Sequence, residues 1–286
     1  MDQLPPITPK NQIRKLPITK IFNIILLVGA LLLGYTLVEP HWLRVKTIDY
    51  TSADVPVAFD GVRIAFLTDV HHGPFFSRNR VKKVVKKVNS LNPDLILLGG
   101  DYVSRDQKYI EPCFEELASL KAPLGEYGVL GNHDHWEGTE LCRECMSKAG
   151  ITCLDNQAIW LKRSTDKIKL GGVGDYWEDL SDLTPTTADV QPSDFVLAIT
   201  HNPDFVETIQ DSRVDLVLSG HNHDGQVTFF GLWAPVVPSA YGQKYRYGLV
   251  DTGVTKVYVS SGIGTITPPV RFCARPEIVI VQLNKK

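Results

Sequence analysis

The sequence lacks three features, and each absence excludes a class. It has no disulfide framework, because its five cysteines (Cys113, Cys142, Cys145, Cys153 and Cys273) are odd in number and scattered. It has no basic excess: 30 Lys and Arg stand against 32 Asp and Glu, a formal net charge of -2. No global field therefore favours nucleic acid, and no track of basic and aromatic residues offers to bind a strand. It also has no repeat or low-complexity tract. What remains is a chain of 286 residues, 43% hydrophobic, enough for one large α/β domain and a short appendage.

The appendage is read at the N-terminus. Residues 1–20 form a basic tail, with Lys10, Arg14, Lys15 and Lys20 against the single acid Asp2. Ile21 to Val38 (IFNIILLVGALLLGYTLV) carries no charge. Eighteen residues rising about 1.5 Å each span roughly 27 Å, close to the hydrocarbon thickness of a bilayer. A single-pass cell-membrane anchor is expected, with partial entry into one leaflet as the other reading its length allows. The following LGYTLVEPHW offers no A-x-A pattern for signal cleavage. Basic residues lie mainly before the run, with Arg44 and Lys46 after it, which favours an extracytoplasmic main domain. Residues 39–59 read as a linker and residues 60–286 as the main domain.

In the body, Val62–Thr68, Asp94–Leu98 and Tyr127–Leu130 read as buried strands. Between them, Arg78–Leu91 repeats valine at helical spacing with lysines on the other face, a solvated surface. Cys113–Leu120 and Thr139–Ala149 read as further helices, the latter closed by Gly150. Short strands follow at Ile151–Leu154, Ala158–Lys162 and Lys167–Val173. Phe195–Thr200 is another, then a helix from Asn202-Pro203 to Gln210, and strands at Val214–Leu218, Lys256–Ser260 and Ile278–Gln282. This order predicts an α/β fold: a sandwich of two sheets flanked by helices, in four layers αββα.

Residues with metal chemistry recur directly after strand ends: Asp69 with His71, Asp101, Asn132 with His133, His201, and His221 with His223. In α/β folds that edge is where ligands collect. Oxygen and imidazole donors without thiolate suit Mn, Fe or Zn. Cys142 and Cys145 form C-x-x-C on a helix without a second pair and are read as structural.

The ordered set D-x-H, G-D, G-N-H-D (Gly131 to Asp134), His201 and G-H-x-H (Gly220 to His223) resembles the calcineurin-like metallophosphoesterases over residues 60 to 285. The distal GIGTITPPVRF…RPEI is similar to a small bacterial branch of membrane-associated phosphodiesterases, some of which hydrolyse UDP-2,3-diacylglucosamine. The resemblance implies two divalent ions. Asp69, His71 and His223 would hold one, Asn132, His201 and His221 the other, and Asp101 would bridge them. His133 would face the phosphoryl group, and Asp134 would orient His133 through a hydrogen bond. Asp224 departs from the glycine common at that place, and leaves the ligand set intact.

Two cations lower the pKa of water and neutralise phosphoryl oxygens, so the reaction implied is hydrolysis of a phosphodiester or pyrophosphate, with a lipid-linked substrate favoured by the anchor. His133 would protonate the leaving group. The candidates for substrate contact are His72, Arg271 and Arg275. His72 reads as a packing neighbour, and the two arginines read equally as phosphate clamps or as holders of the C-terminal loop. Trp136, Trp177 and Trp233 are read as packing residues before groove residues. The rival function is a metal-binding scaffold of the same fold acting in protein interaction. His133 beside Asn132 argues against it.

Overall fold

The computed structural model describes residues 17–211 and 213–286. Lys10, Arg14 and Lys15 of the basic tail lie outside them. An apolar helix, α1 (Ile18–Val38), opens the described chain and buries none of its side chains. It is long and apolar enough to cross a membrane.

Two mixed six-stranded sheets follow. The first contains β1 (Arg44–Ser52), β2 (Arg63–Leu67), β3 (Leu95–Leu98), β4 (Glu126–Gly128), β5 (Thr152–Cys153) and β12 (Glu277–Lys285), in the order β1-β12-β2-β3-β4-β5. The second contains β6 (Gln157–Arg163), β7 (Asp166–Gly172), β8 (Val196–Ile199), β9 (Leu216–Ser219), β10 (Gly248–Asp251) and β11 (Lys256–Val259), in the order β10-β11-β9-β8-β7-β6. β2 to β5 are parallel, as are β7, β8, β9 and β11, so these strands deliver their C-terminal ends to one edge.

Strand periodicity sorts the core. In β2, Ile64 and Phe66 point between the sheets, where they meet Leu197, Ile199, Leu216 and Leu218. Ala65 and Leu67 point outward to the helices α2 (Arg78–Ser90), α3 (Ile110–Leu117) and α4 (Asn132–Lys148). Burial on both faces explains why this strand reads as an unbroken apolar run. α2 turns Val81, Val84, Val85 and Val88 inward, as its spacing predicts. Cys113, Cys142 and Cys145 join this helix-side core. The second sheet has a thinner cover: the four-residue α5 (Thr184–Thr187), the 3-10 segment Pro203–Thr208 where a longer helix was expected, and loops placing Phe205, Val206 and Tyr245.

Three boundaries change. Residues 39–59 are not a linker. They contain β1, which runs parallel to β12 over nine residue pairs, and Val55 and Phe59, which enter the inter-sheet core. The domain therefore begins near Glu39. β1 escaped notice because an edge strand needs no strong alternation of its own, and its partner lies at the far end of the chain. β10 was also missed. α4 starts at Asn132 and breaks at Gly138 (φ 153°, ψ 82°), so only its second part resembles the expected helix.

At the sheet edge away from the strand ends, Asp215 accepts from Val196 N at 2.8 Å. Burial pushes its carboxyl up to about 6, against the lowering effect of that bond. A carboxyl raised on folding contributes stability that is complete below its unfolded pKa of about 4 and lost as pH rises through 6. Asp215→Asn is thus expected to stabilise the fold by about 1–2 kcal/mol at pH 7.5, with the gain vanishing near pH 4. Thermal unfolding of the detergent-solubilised chain at both pH values checks this.

Candidate metal centre

The ligand candidates sit where parallel strands stop. Asp69 and His71 follow β2, Asp101 follows β3, Asn132 and His133 follow β4, His201 follows β8, and His221 and His223 follow β9. Asp69, His71, Asp101, His221 and His223 all hold left-handed backbone, with φ of 55°, 49°, 56°, 68° and 50°. Such conformations cost about 1–2 kcal/mol each for non-glycine residues. They turn successive side chains into one volume, and their concentration here is typical of a functional site.

The side chains converge. His71 Nε2 lies 3.0 Å from His223 Nε2. Asp69 Oδ1 is 3.4 Å from His223 Nε2 and 3.9 Å from His71 Nε2. His221 Nδ1 is 3.1 Å from Asn132 Oδ1 and 3.2 Å from His201 Nε2. Asp101 Oδ2 stands between the two groups, 3.4 Å from His71 Nε2 and 3.2 Å from His201 Nε2. Two glycines keep the volume open. A Cβ on Gly131 would fall on the Asp101 carboxylate and within 2.8 Å of His201 Nδ1, and one on Gly220 would fall on Asp69.

The electrostatics suit cations. Burial lowers His71 and His221 to about 3, with the positive His201 adding to the effect at His221. Burial, His71 and Arg271 hold His223 well below its usual value. Neutral imidazoles are the form that donates a lone pair. Burial opposes charge on Asp101 and His201 as well, yet their mutual attraction and hydrogen bond hold Asp101 well below and His201 well above their ordinary ranges. Asp101 thus favours the protonated form of His201, and a bound metal would compete with that proton for its lone pair. His71 Nδ1 and His221 Nε2 are buried without hydrogen-bond partners. The lone pairs that face one another inside the cluster, on His71 Nε2, His223 Nε2 and His221 Nδ1, together with two carboxylates, fit divalent ions with N and O preference.

The surrounding contacts differ in part from expectation. His201 Nδ1 is fixed by Gly99 O at 2.8 Å, which aims Nε2 at the cluster. Asp134 does not bond the His133 ring. Its carboxylate takes the backbone amides of Gly131, Asp101 and Tyr102 at 2.9, 2.7 and 2.9 Å, and so holds the turn that carries Asp101. The reason is proximity: Asp134 lies in the first helical turn, buried against those amides. His133 is half-buried. Its amide donates to Asp101 Oδ1 at 2.9 Å, its Nδ1 is unpartnered, and its ring meets His71 and Trp136 edge-on. With His71 and Asp101 it forms a further potential ligand trio, beyond the role expected of it. Trp177 meets His221 on the other side, whereas Trp233 lies on an exposed loop.

His72 packs and bonds, Nδ1 to Phe76 O at 2.7 Å. Arg275 donates to Trp42 O at 3.0 Å, away from the cluster. Arg271 is no phosphate clamp. It is fully buried and donates to the carbonyls of Ser261, Gly264 and Ala274, with Nη2 3.3 Å from His223 Nδ1. Burial lowers its pKa to about 10, which still leaves it charged at neutral pH. Asp224, at φ 55°, pairs with Arg246 and points away from the cluster. Arg271→Met would strand carbonyls at about 1–3 kcal/mol each. It is expected to lower Tm and to weaken metal retention about 10–100-fold. Metal content after dialysis against a chelator separates this from a purely structural role, in which only Tm would fall.

Two residues were missed. Asp175 is fully buried next to His201, after β7, and accepts from the amides of Trp177 and Glu178 at 2.9 and 3.1 Å. Its position after a strand was the available signal. Glu39 is fully buried and receives Cys273 N and Ala274 N at 2.7 and 2.8 Å, which pins the Arg271 loop. No local pattern announces it.

Sequence comparison agrees with this geometry. A family profile described as "Calcineurin-like phosphoesterase" matches residues 62–225, which contain all the ligand candidates. "Uncharacterized metallophosphoesterase YkuE" of Bacillus subtilis is 32% identical over 86% of this chain and 87% of its own length. "Phosphodiesterase YaeI" of Escherichia coli is 33% identical over 77% of this chain and 82% of its own. "Transmembrane protein with metallophosphoesterase domain" of Danio rerio is 28% identical over 91% of this chain and 62% of its own. On the strength of the profile and of relatives above 30% identity, this chain belongs to the calcineurin-like phosphoesterase family and is a metal-dependent phosphoester hydrolase.

Proposed function

We propose that the chain is a membrane-anchored phosphodiesterase or pyrophosphatase that works with two divalent ions. The carrying observation is a connected set of seven donor residues, each 3.0–3.9 Å from at least one other, with Asp101 between the His71 and His201 groups. Asp69, His71 and His223 would hold one ion and Asn132, His201 and His221 the other, with Asp101 shared. Bound ions of this kind supply Lewis acidity, which acidifies water and neutralises phosphoryl oxygens. His133, half-buried with its ring edge-on to His71 and Trp136, is the side chain placed to donate to the leaving oxygen. Trp136 and Trp177 wall the rim and limit access of bulk water.

α1 would tether the domain, and the bias of lysine and arginine before it over Arg44 and Lys46 after it supports an extracytoplasmic domain. The substrate on that side is a lipid-linked phosphodiester or pyrophosphate. UDP-2,3-diacylglucosamine requires the cytoplasmic side, where such precursors are made, and a C-terminal reporter fusion decides between them. After chelation, the purified full chain is expected to hydrolyse a chromogenic bis-aryl phosphodiester only once Mn, Fe or Zn is restored. Turnover that survives chelation, or that no ion restores, removes the proposal.

A further inference from the structure

We infer that the loop Phe229–Val236 is a second membrane contact, which dips into the leaflet where α1 ends. This rests on the reading of α1 as a membrane span. In this loop Phe229, Phe230, Leu232, Trp233 and Val236 are 64, 67, 80, 52 and 70% exposed. Isolated exposed apolar residues need no explanation, but five within eight residues form a patch that water does not favour.

The exposure is built into the backbone. Phe229 and Trp233 close a tight turn, with Leu232 N donating to Phe229 O at 3.0 Å and Phe230 and Gly231 both left-handed. Gly231 N donates to Thr228 Oγ1 at 2.7 Å, and Arg246, paired with Asp224, donates to Gly231 O at 2.8 Å. These bonds hold the backbone of the turn in a fixed outward course. Asp224 thus serves the loop.

The occupant follows from position. Thr228 N donates to Phe272 O at 2.9 Å, so the loop is stitched to the segment that receives the end of α1. Arg271 N donates to Thr36 O at 3.0 Å. Tyr35 meets Phe272 at 5.6 Å between ring centroids, and Phe272 meets Phe230 at 6.1 Å. An apolar surface therefore runs from the last turns of α1 through Phe272 to the loop. Tyr35, Trp42 and Trp233 supply the amphipathic rings that favour a bilayer interface. Arg80 and Arg275, which donate to Pro40 O and Trp42 O, bring positive charge next to the end of α1, complementary to anionic headgroups. A phospholipid leaflet satisfies both the apolar patch and its basic neighbours.

The loop also follows His223 by only a few residues. Its insertion would hold the metal centre at the bilayer surface and favour substrates presented from the lipid.

The test uses the full chain in phosphatidylethanolamine/phosphatidylglycerol vesicles. An environment-sensitive fluorophore is attached at Leu232→Cys, in a background carrying Cys153→Ser and Cys273→Ser, and at Val254→Cys, at the opposite end of β11, as control. The label at 232 is expected to shift to the blue and to be quenched by brominated phospholipid, and the label at 254 is not. Co-flotation with vesicles but no quenching at 232 overturns this inference and leaves the anchor standing. Failure to co-float overturns the anchor and this inference together.

Discussion

Asp101→Asn is expected to reduce phosphodiester turnover to the background rate, with loss of bound divalent metal and little loss of fold. The substitution is nearly isosteric and keeps an oxygen to accept His133 N, a bond of 2.9 Å. The turn bearing residue 101 stays tied by Asp134. What disappears is the negative charge between His71 and His201. That charge is the largest influence favouring protonated His201 against burial. Without it, one shared donor is gone, and two groups of imidazoles face each other with less compensation for two cations. Elemental analysis, kinetics and thermal unfolding on one preparation check this. Retained metal together with retained turnover would remove Asp101 from the shared position.

His133→Ala is expected to behave differently. Metal content should survive, because the three-residue groups on either side of Asp101 do not need the His133 ring. The kcat should fall by about 10²–10⁴-fold, the usual contribution of a positioned proton donor. A leaving group of low basicity needs little protonation, so the deficit should shrink with more acidic aryl leaving groups. Loss of metal in this variant would instead support His133 as a ligand, in keeping with its approach to His71 and Asp101. Unchanged turnover would deny it either role.

The two variants test parts of the site that were legible to different degrees. The convergence of Asp69, His71, Asp101, Asn132, His201, His221 and His223 could be expected from the chain because each follows an apolar strand. Strand periodicity is local, and the parallel arrangement sends those strand ends to one edge. The contacts between donors are another matter. The family resemblance implied a bond from Asp134 to His133, but the buried carboxylate takes closer backbone amides instead. Arg271 was an even choice between clamp and brace. Its burial within the 261–274 segment, with its donors on that segment's own carbonyls, made it a brace, and no one-dimensional pattern carries burial of that kind.

Local residue order was enough for the buried strands, the amphipathic α2, the uncharged apolar run of α1 and the side chains that gather at the strand ends, because each depends on neighbours within a few positions. The place of β1 beside β12, the pinning of the Arg271 loop by Glu39, the break in α4 and the alignment of the Phe229–Val236 turn with the end of α1 all required the folded chain. They depend on pairings across two hundred residues or on which surface is left uncovered, and such contacts exist only after the sheets have packed.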